Sequence, residues 1–264
     1  MLKIYSKILS LSAGVLISAS AFAQNARIQV VHNAANAPAV DIFVGAQKLF
    51  PNVPFRAASA FTNAPAGVEL QVRIKAASQT NDTSNPAFFR RYTLAANEGY
   101  YLIANGNLVL PGGVYAANPD NISNGFDVTV IAGAKETSAV PANVDLRVFH
   151  GSTDAPTVDI KAQGVGTLVE NAPFRGSSNY LPVPAANYTI QIAPGSGTPN
   201  LLAYKAPLTG LAGQTALVLA SGYFTPSANT TDGTPGPGFG LWAFTTTGQA
   251  IQLQKATARA QIVH

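Results

Sequence analysis

Between Val68 and Lys75 apolar and polar residues alternate one by one: Val68, Leu70, Val72 and Ile74 point one way, Glu69, Gln71, Arg73 and Lys75 the other. A period of two is that of a half-buried strand with one solvated face. Tyr188, Ile190 and Ile192, interleaved with Thr189 and Gln191, play the same part later in the chain. A proline turn introduces each strand, Ala64-Pro65-Ala66-Gly67 and Val183-Pro184-Ala185-Ala186, and positions the chain for a hairpin. Further strands are predicted at 28–32, 40–44, 88–94, 100–104 and 126–131, then at 146–150, 158–161, 201–205, 216–221, 241–245 and 251–253. Short strands at regular spacing, Gly/Pro/Asn punctuation and no amphipathic helix predict an all-β chain of two tandem antiparallel β-sandwich (immunoglobulin-like) domains, about seven strands each.

The tandem reading comes from an internal repeat. The segment from Arg27 through His32, Pro38 and Asp41 to Ile42 returns from Arg147 through His150, Pro156 and Asp159 to Ile160, with His, Pro and Asp each displaced by 118 residues. A duplicated unit of that size is a domain. The predicted division is a signal peptide over 1–23, a first repeat over 24–133, a linker over 134–143, a second repeat over 144–254, and the start of a truncated third repeat over 255–264. The third start rests on Arg259, Gln261, Val263 and His264, which echo Arg27, Gln29, Val31 and His32. Each repeat also carries a long Gly/Pro/Asn loop, over 105–125 and 223–240, of a length that is either functional or a tolerated insertion.

Lys3 and Lys7, an apolar run from Ile8 to Phe22 and the small-x-small exit Ala21-Phe22-Ala23 describe a cleavable secretory signal, with cleavage between Ala23 and Gln24. No later stretch has the roughly 18 to 20 continuous apolar residues of a transmembrane anchor. The expected location is therefore exported: secreted, periplasmic or at the cell surface. The absence of cysteine removes disulfides, thiol nucleophiles and thiolate metal sites. Without the two signal lysines the chain has 14 basic and 12 acidic residues, and no basic run longer than Arg90-Arg91, which argues against nucleic acid as a partner. Charged residues are 11% of the chain against about 25% in ordinary globular proteins, so the surface must be rich in Thr, Ser, Asn, Gln and Gly.

The succession of Val-His, a polar turn with Ala-Pro, Val-Asp-Ile, then Asn52-Val53-Pro54-Phe55 and later Pro-Ala-Gly with an alternating strand resembles the domain of unknown function 4397 family. The second repeat keeps Asn171-Ala172-Pro173-Phe174, followed by Arg175 as Arg56 follows Phe55; it has Asp154 where the first has Asn36. The resemblance covers nearly all of the chain after the signal. It implies a secreted or cell-envelope bacterial protein with tandem β-rich domains, and it supplies no catalytic residues.

Candidate chemistry centres on the repeated His and Asp. His150 with Asp159, and Ser152 nearby, could form a general base with its orienter and a nucleophile, or ligands of a metal. No Gly-x-Ser-x-Gly elbow, His-Glu-x-x-His helix, P-loop or Rossmann fingerprint accompanies them, and Ser152 is Ala34 in the first repeat. The simpler reading is that the His tethers the Ala-Pro turn while the Asp fixes turn amides. Phe55 and Phe174, each beside an Arg, could be recognition residues or core plugs. Trp242, Tyr223, Phe239 and Arg175 are the candidate binding residues, since rings around a loop suit sugar platforms, although Trp242 also falls where a core strand begins. Asp120, Asn121, Asp127 and Asp232 lack the spacing of a calcium loop, and no metal site or cofactor is expected. The expectation is a non-enzymatic exported repeat protein with a cell-surface or envelope binding or structural role, its partner an extracellular glycan or an envelope protein. The alternatives are a hydrolase or metal-dependent enzyme using the His/Asp pair, and a carbohydrate-binding module.

Overall fold

The computed structural model describes residues 24–79, 83–196 and 199–257. The first repeat supplies β1 (Asn25–Asn33), β2 (Val40–Val44), β3 (Gln47–Val53), β4 (Ala57–Ala58), β5 (Thr62–Pro65), β6 (Glu69–Ala76), β7 (Phe88–Thr93), β8 (Gly99–Asn105) and β9 (Asp127–Ala132). One sheet runs β3-β2-β6-β7, antiparallel throughout. In the other, β4 and β5 share one edge of β1, and β8 and β9 follow on its far side.

The second repeat supplies β10 (Asn143–His150), β11 (Val158–Ala162), β12 (Gly166–Ala172), β13 (Leu181–Pro184), β14 (Asn187–Pro194), β15 (Leu202–Pro207), β16 (Thr215–Ser221), the hairpin β17 (Thr230–Thr231) and β18 (Thr234–Pro235), β19 (Gly240–Thr245), β20 (Ala250–Gln252) and β21 (Gln254–Lys255). Its two main sheets, β12-β11-β14-β15-β21 and β13-β10-β16-β19-β20, copy the first pair and add a strand at one edge of each. The chain is thus all-β with two tandem domains, as its periodicity predicts.

One pairing departs from the antiparallel expectation. β1 runs parallel to β8, and β10 parallel to β16. Between β1 and β8 the chain crosses to the opposite sheet and back twice, returning antiparallel to β1 as β4 and β5 and then parallel to it as β8. A parallel neighbour requires such a long crossover connection. The alternation in β6 also shifts at its ends. Leu70, Val72 and Ile74 are buried, but Val68 lies in the turn before the strand and is 52% exposed, whereas Lys75 is buried opposite Asp41.

The sheets containing β1 and β10 bury both faces. Ile28, Val30, Leu102 and Ala104 face the first sandwich core, and Leu146, Val148, Ala216 and Ala220 the second. The intervening residues Val31, Tyr101 and Ile103 form a third core with Phe149, Leu217, Leu219 and Phe244 of the other repeat. Strands buried on both sides read as unbroken apolar runs, which Tyr100–Ala104 and Ala216–Ala220 are. The two sandwiches are therefore packed sheet against sheet through a shared apolar core.

Candidate functional site

Each repeated segment folds into one compact unit. His32 lies near the end of β1, and its Nε2 lies 3.0 Å from the Pro38 carbonyl across the turn. A carbonyl only accepts, so this nitrogen carries the proton. Nδ1 in turn accepts from the Ala34 backbone N–H at 3.3 Å. His150 repeats the arrangement, with Nε2 3.0 Å from Pro156 O and Nδ1 3.4 Å from the Ser152 N–H. Both rings are buried, at 0% and 1% exposure. Burial pushes both imidazoles below their ordinary pKa, against the opposing pull of the Pro carbonyls, so they are neutral.

The aspartates serve a different turn. Asp41 Oδ1 accepts from the Asn52 N–H at 2.8 Å, and Asp159 Oδ1 from the Asn171 N–H at the same distance. Both Asn residues sit in left-handed backbone, φ 48° and 49°, at the irregular end of the β2–β3 and β11–β12 pairs. Burial alone would raise the Asp41 carboxyl, but its ion pair with Lys48 and the Asn52 N–H outweigh burial and hold it below its ordinary value. The structure therefore gives His and Asp separate backbone partners. Ser152 is buried and donates its hydroxyl to Gly222 O at 2.7 Å, while His150 faces the Ser152 amide rather than its hydroxyl.

Four residues after Asn52 and Asn171, the chain returns to the histidine. The Arg56 N–H donates to His32 O at 2.8 Å, and the Arg175 N–H to His150 O at 2.7 Å, both arginines at φ 65°. Phe55 and Phe174 meet the His rings edge-on at 6.2 and 6.4 Å. Phe174 is buried and Phe55 half-buried. The guanidinium groups then leave their own repeat. Arg56 donates to Ser221 Oγ and Ser221 O at 3.0 Å each and to Gly238 O at 2.6 Å. Arg175 donates back to Gly125 O and Ser123 O of the first repeat. Glycine makes room for each: a Cβ on Gly222 would lie 2.5 Å from the Arg56 guanidinium, and one on Gly106 2.8 Å from that of Arg175, and both glycines have positive φ.

Of the aromatic candidates, Trp242 and Tyr223 reach the same interface, and Phe239 packs within the second repeat. Trp242 on β19 lies beneath the Arg56 guanidinium at 5.1 Å, with Phe55 on that cation at 4.7 Å. The indole packs against the shared core. Tyr223 is 1% exposed and donates its hydroxyl to Asn107 Oδ1 at 2.7 Å. Phe239 meets Tyr204 and Phe224. Arg175 stacks on Phe174 at 5.1 Å. These four residues do not line one open platform.

The long loops also bridge the repeats, a role that residue pattern alone did not reveal. Val114 and Thr230 exchange backbone hydrogen bonds, and Asn118 Nδ2 donates to Thr153 O and Ala155 O. Asp120 Oδ2 accepts from the Thr157 amide and hydroxyl, which makes it a turn cap. The exchange of Asn36 for Asp154 has a local cause. Asn36 faces both the N–H and the C=O of Leu108, whereas Asp154 faces three donors, Phe224 N, Thr225 N and Asn229 Nδ2. Among the described residues no group of three or more His, Asp or Glu could hold a metal ion. No helix there is long and apolar enough to cross a membrane. The signal segment over 1–23 and the third echo over 258–264, His264 included, lie outside the described residues.

A family model described as "Domain of unknown function (DUF4397)" matches residues 26–143 and 144–235. The chain belongs to this family. The two adjacent matches make it a tandem DUF4397 protein, and the boundary between them falls at the start of β10. Among curated proteins none matches the chain in sequence. One solved structure similar to it is titled "Alpha-glucan recognition by family 41 carbohydrate-binding modules from streptococcal virulence factors", at 11% identity over 73% of this chain and 93% of that one. The TM-score is 0.23, too low for the likeness to bear on fold or ligand.

Proposed function

We propose that this DUF4397 pair is a non-catalytic, exported two-domain unit that acts at the cell surface or envelope as a rigid binding or structural element. The observation that carries this reading is the state of the repeated histidines. In both repeats each ring nitrogen is engaged by backbone, so the duplicated motif works as a turn lock, and a proton relay would need one nitrogen free. The shared core and the exchanged arginines support rigidity, because they hold the sandwiches in one orientation. Export rests on the signal pattern over 1–23, and the envelope setting on the family resemblance. A carbohydrate platform at Trp242 has less support, since its indole is covered by Arg56 and packed against the shared core.

The test is sedimentation of the purified protein with intact cells and envelope fractions, together with a glycan array, for the wild type and a folded His150→Ala variant. Retention should be the same for both, with no turnover of ester, peptide or glycoside reporters. Turnover that disappears with His150, or retention lost in a variant whose circular dichroism is native, would overturn the reading.

A further inference from the structure

The edge seam between the two sheets is built differently in the two sandwiches. Where β12 and β13 pass each other, the second sandwich opens an apolar groove of about 470 Å³, walled by Leu168, Leu181, Val183 and Ile190. Beneath it an enclosed cavity of about 50 Å³ lies between the sheets. Groove and cavity share Leu146, Leu168, Leu181, Ile190 and Leu208, so the two lie on either side of the same side chains. At the corresponding level of the first sandwich the cavity beside Val30, Ile42 and Leu102 measures about 10 Å³, and the groove at Val44, Pro65 and Leu70, also about 470 Å³, is walled by Glu69, Gln71 and Arg73.

Strand register identifies the residues responsible. Thr62 stands opposite Ile28 as Leu181 stands opposite Leu146, and Lys48 opposite Phe43 as Thr167 opposite Lys161. Tyr92 stands opposite Leu70 as Ala206 opposite Tyr188. The second repeat thus has an apolar residue for a hydroxyl at the rim and a methyl for a ring on β15, with the ring, Tyr188, moved to the facing strand. Tyr92 packs against the first core, whereas Ala206 borders the cavity. Protein interiors are otherwise close-packed, so an aliphatic groove with a void between the sheets, where the first copy has a charged groove and a smaller void, marks a site.

We propose that this groove and cavity bind a single unbranched aliphatic chain, as in a fatty acid or one acyl chain of a lipid. The walls are aliphatic, and the Tyr188 hydroxyl at the rim already donates to Pro184 O at 3.0 Å. The enclosed end is well below the roughly 150 Å³ that takes a benzene ring, but it admits the end of a methylene chain. An added peptide strand fits poorly, because β13 is an edge strand and Pro182 and Pro184 have no N–H to offer. The site is remote from the turn motif, so its failure and that of the rigid-unit reading are separate results.

The experiment is calorimetric titration of the full chain with dodecanoate, dodecanol, shorter homologues of both, a dodecyl lysophospholipid, and phosphatidylcholine vesicles. Saturable binding is expected, tightening about fourfold for each added methylene until the groove is filled. Leu181→Thr should weaken it about tenfold, and Ala206→Tyr, which restores the ring of the first repeat, should abolish it. Should the tyrosine variant not fold, Leu181→Thr at the rim carries the test alone, with a thermal melt to show that it is native. Binding of dodecanoate and dodecanol alone assigns a free chain, and binding of the lysophospholipid or vesicles alone assigns a lipid; either supports the site. No saturable binding, affinity blind to chain length, or wild-type affinity in Leu181→Thr would overturn it.

Discussion

Arg56 crosses from the first repeat to place its guanidinium on both the hydroxyl and the carbonyl of Ser221, 165 positions further along the chain. Hydrogen bonds from a charged donor are among the stronger ones, and these join the sandwiches at the point where each repeated turn closes on its histidine. Arg56→Ala should lower stability by about 2–3 kcal/mol in urea unfolding. Arg56→Lys should recover less than half of that, because an ammonium cannot reproduce the planar fork that reaches Ser221 and Gly238 together.

Asp154 and Asn36 hold the same turn against loops of different chemistry. Asp154→Asn would turn an amide NH2 toward backbone N–H groups and Asn229, leaving a buried donor without an acceptor. A loss of about 1–3 kcal/mol is expected. Asn36→Asp should cost a similar amount, because a carboxylate would meet the Leu108 carbonyl in place of the donor now there. Thermal melts of both variants check this, and a neutral result for either would show that the loop does not select the side chain.

The histidines set an acid limit. Their folded pKa lies below the ordinary 6.5, so below that pH the unfolded chain binds protons that the native state refuses. Stability is full above about pH 6.5 and falls as the pH drops toward the folded value. Asp41 acts in the same direction at lower pH, since its carboxyl is also held below its ordinary value. Urea midpoints measured from about pH 7.5 down to about pH 5 should decline in the wild type and stay flatter in a folded His32→Asn/His150→Asn double variant.

Much of the sheet framework was legible in the residues. The alternation in β6 and β14 marked strands because their burial follows the pleat, and the run in β16 because both of its faces are buried. β3 and β12 escaped notice because each contains an irregularity, with Asn52 or Asn171 in left-handed backbone, and a bulge breaks alternation where it falls. The turn-tether role of His was readable from its place beside Ala-Pro. The joining of the repeats was partly visible, since Tyr100–Ala104 has no polar face, but the partner of that second face lies more than a hundred residues away. The destination of Arg56 had no local signal at all, because it is set by how two folded units dock.

The central claim is that the duplicated histidines are structural locks, and nitrogen-detected NMR of their imidazoles across a pH titration tests it most directly. Resonances of His32 and His150, assigned through their single Asn variants, should show the neutral Nε2–H tautomer at about pH 8 and protonate only below the ordinary 6.5. A ring that titrates near 6.5, or that carries its proton on Nδ1, would be free of the backbone bonds described and would contradict the account.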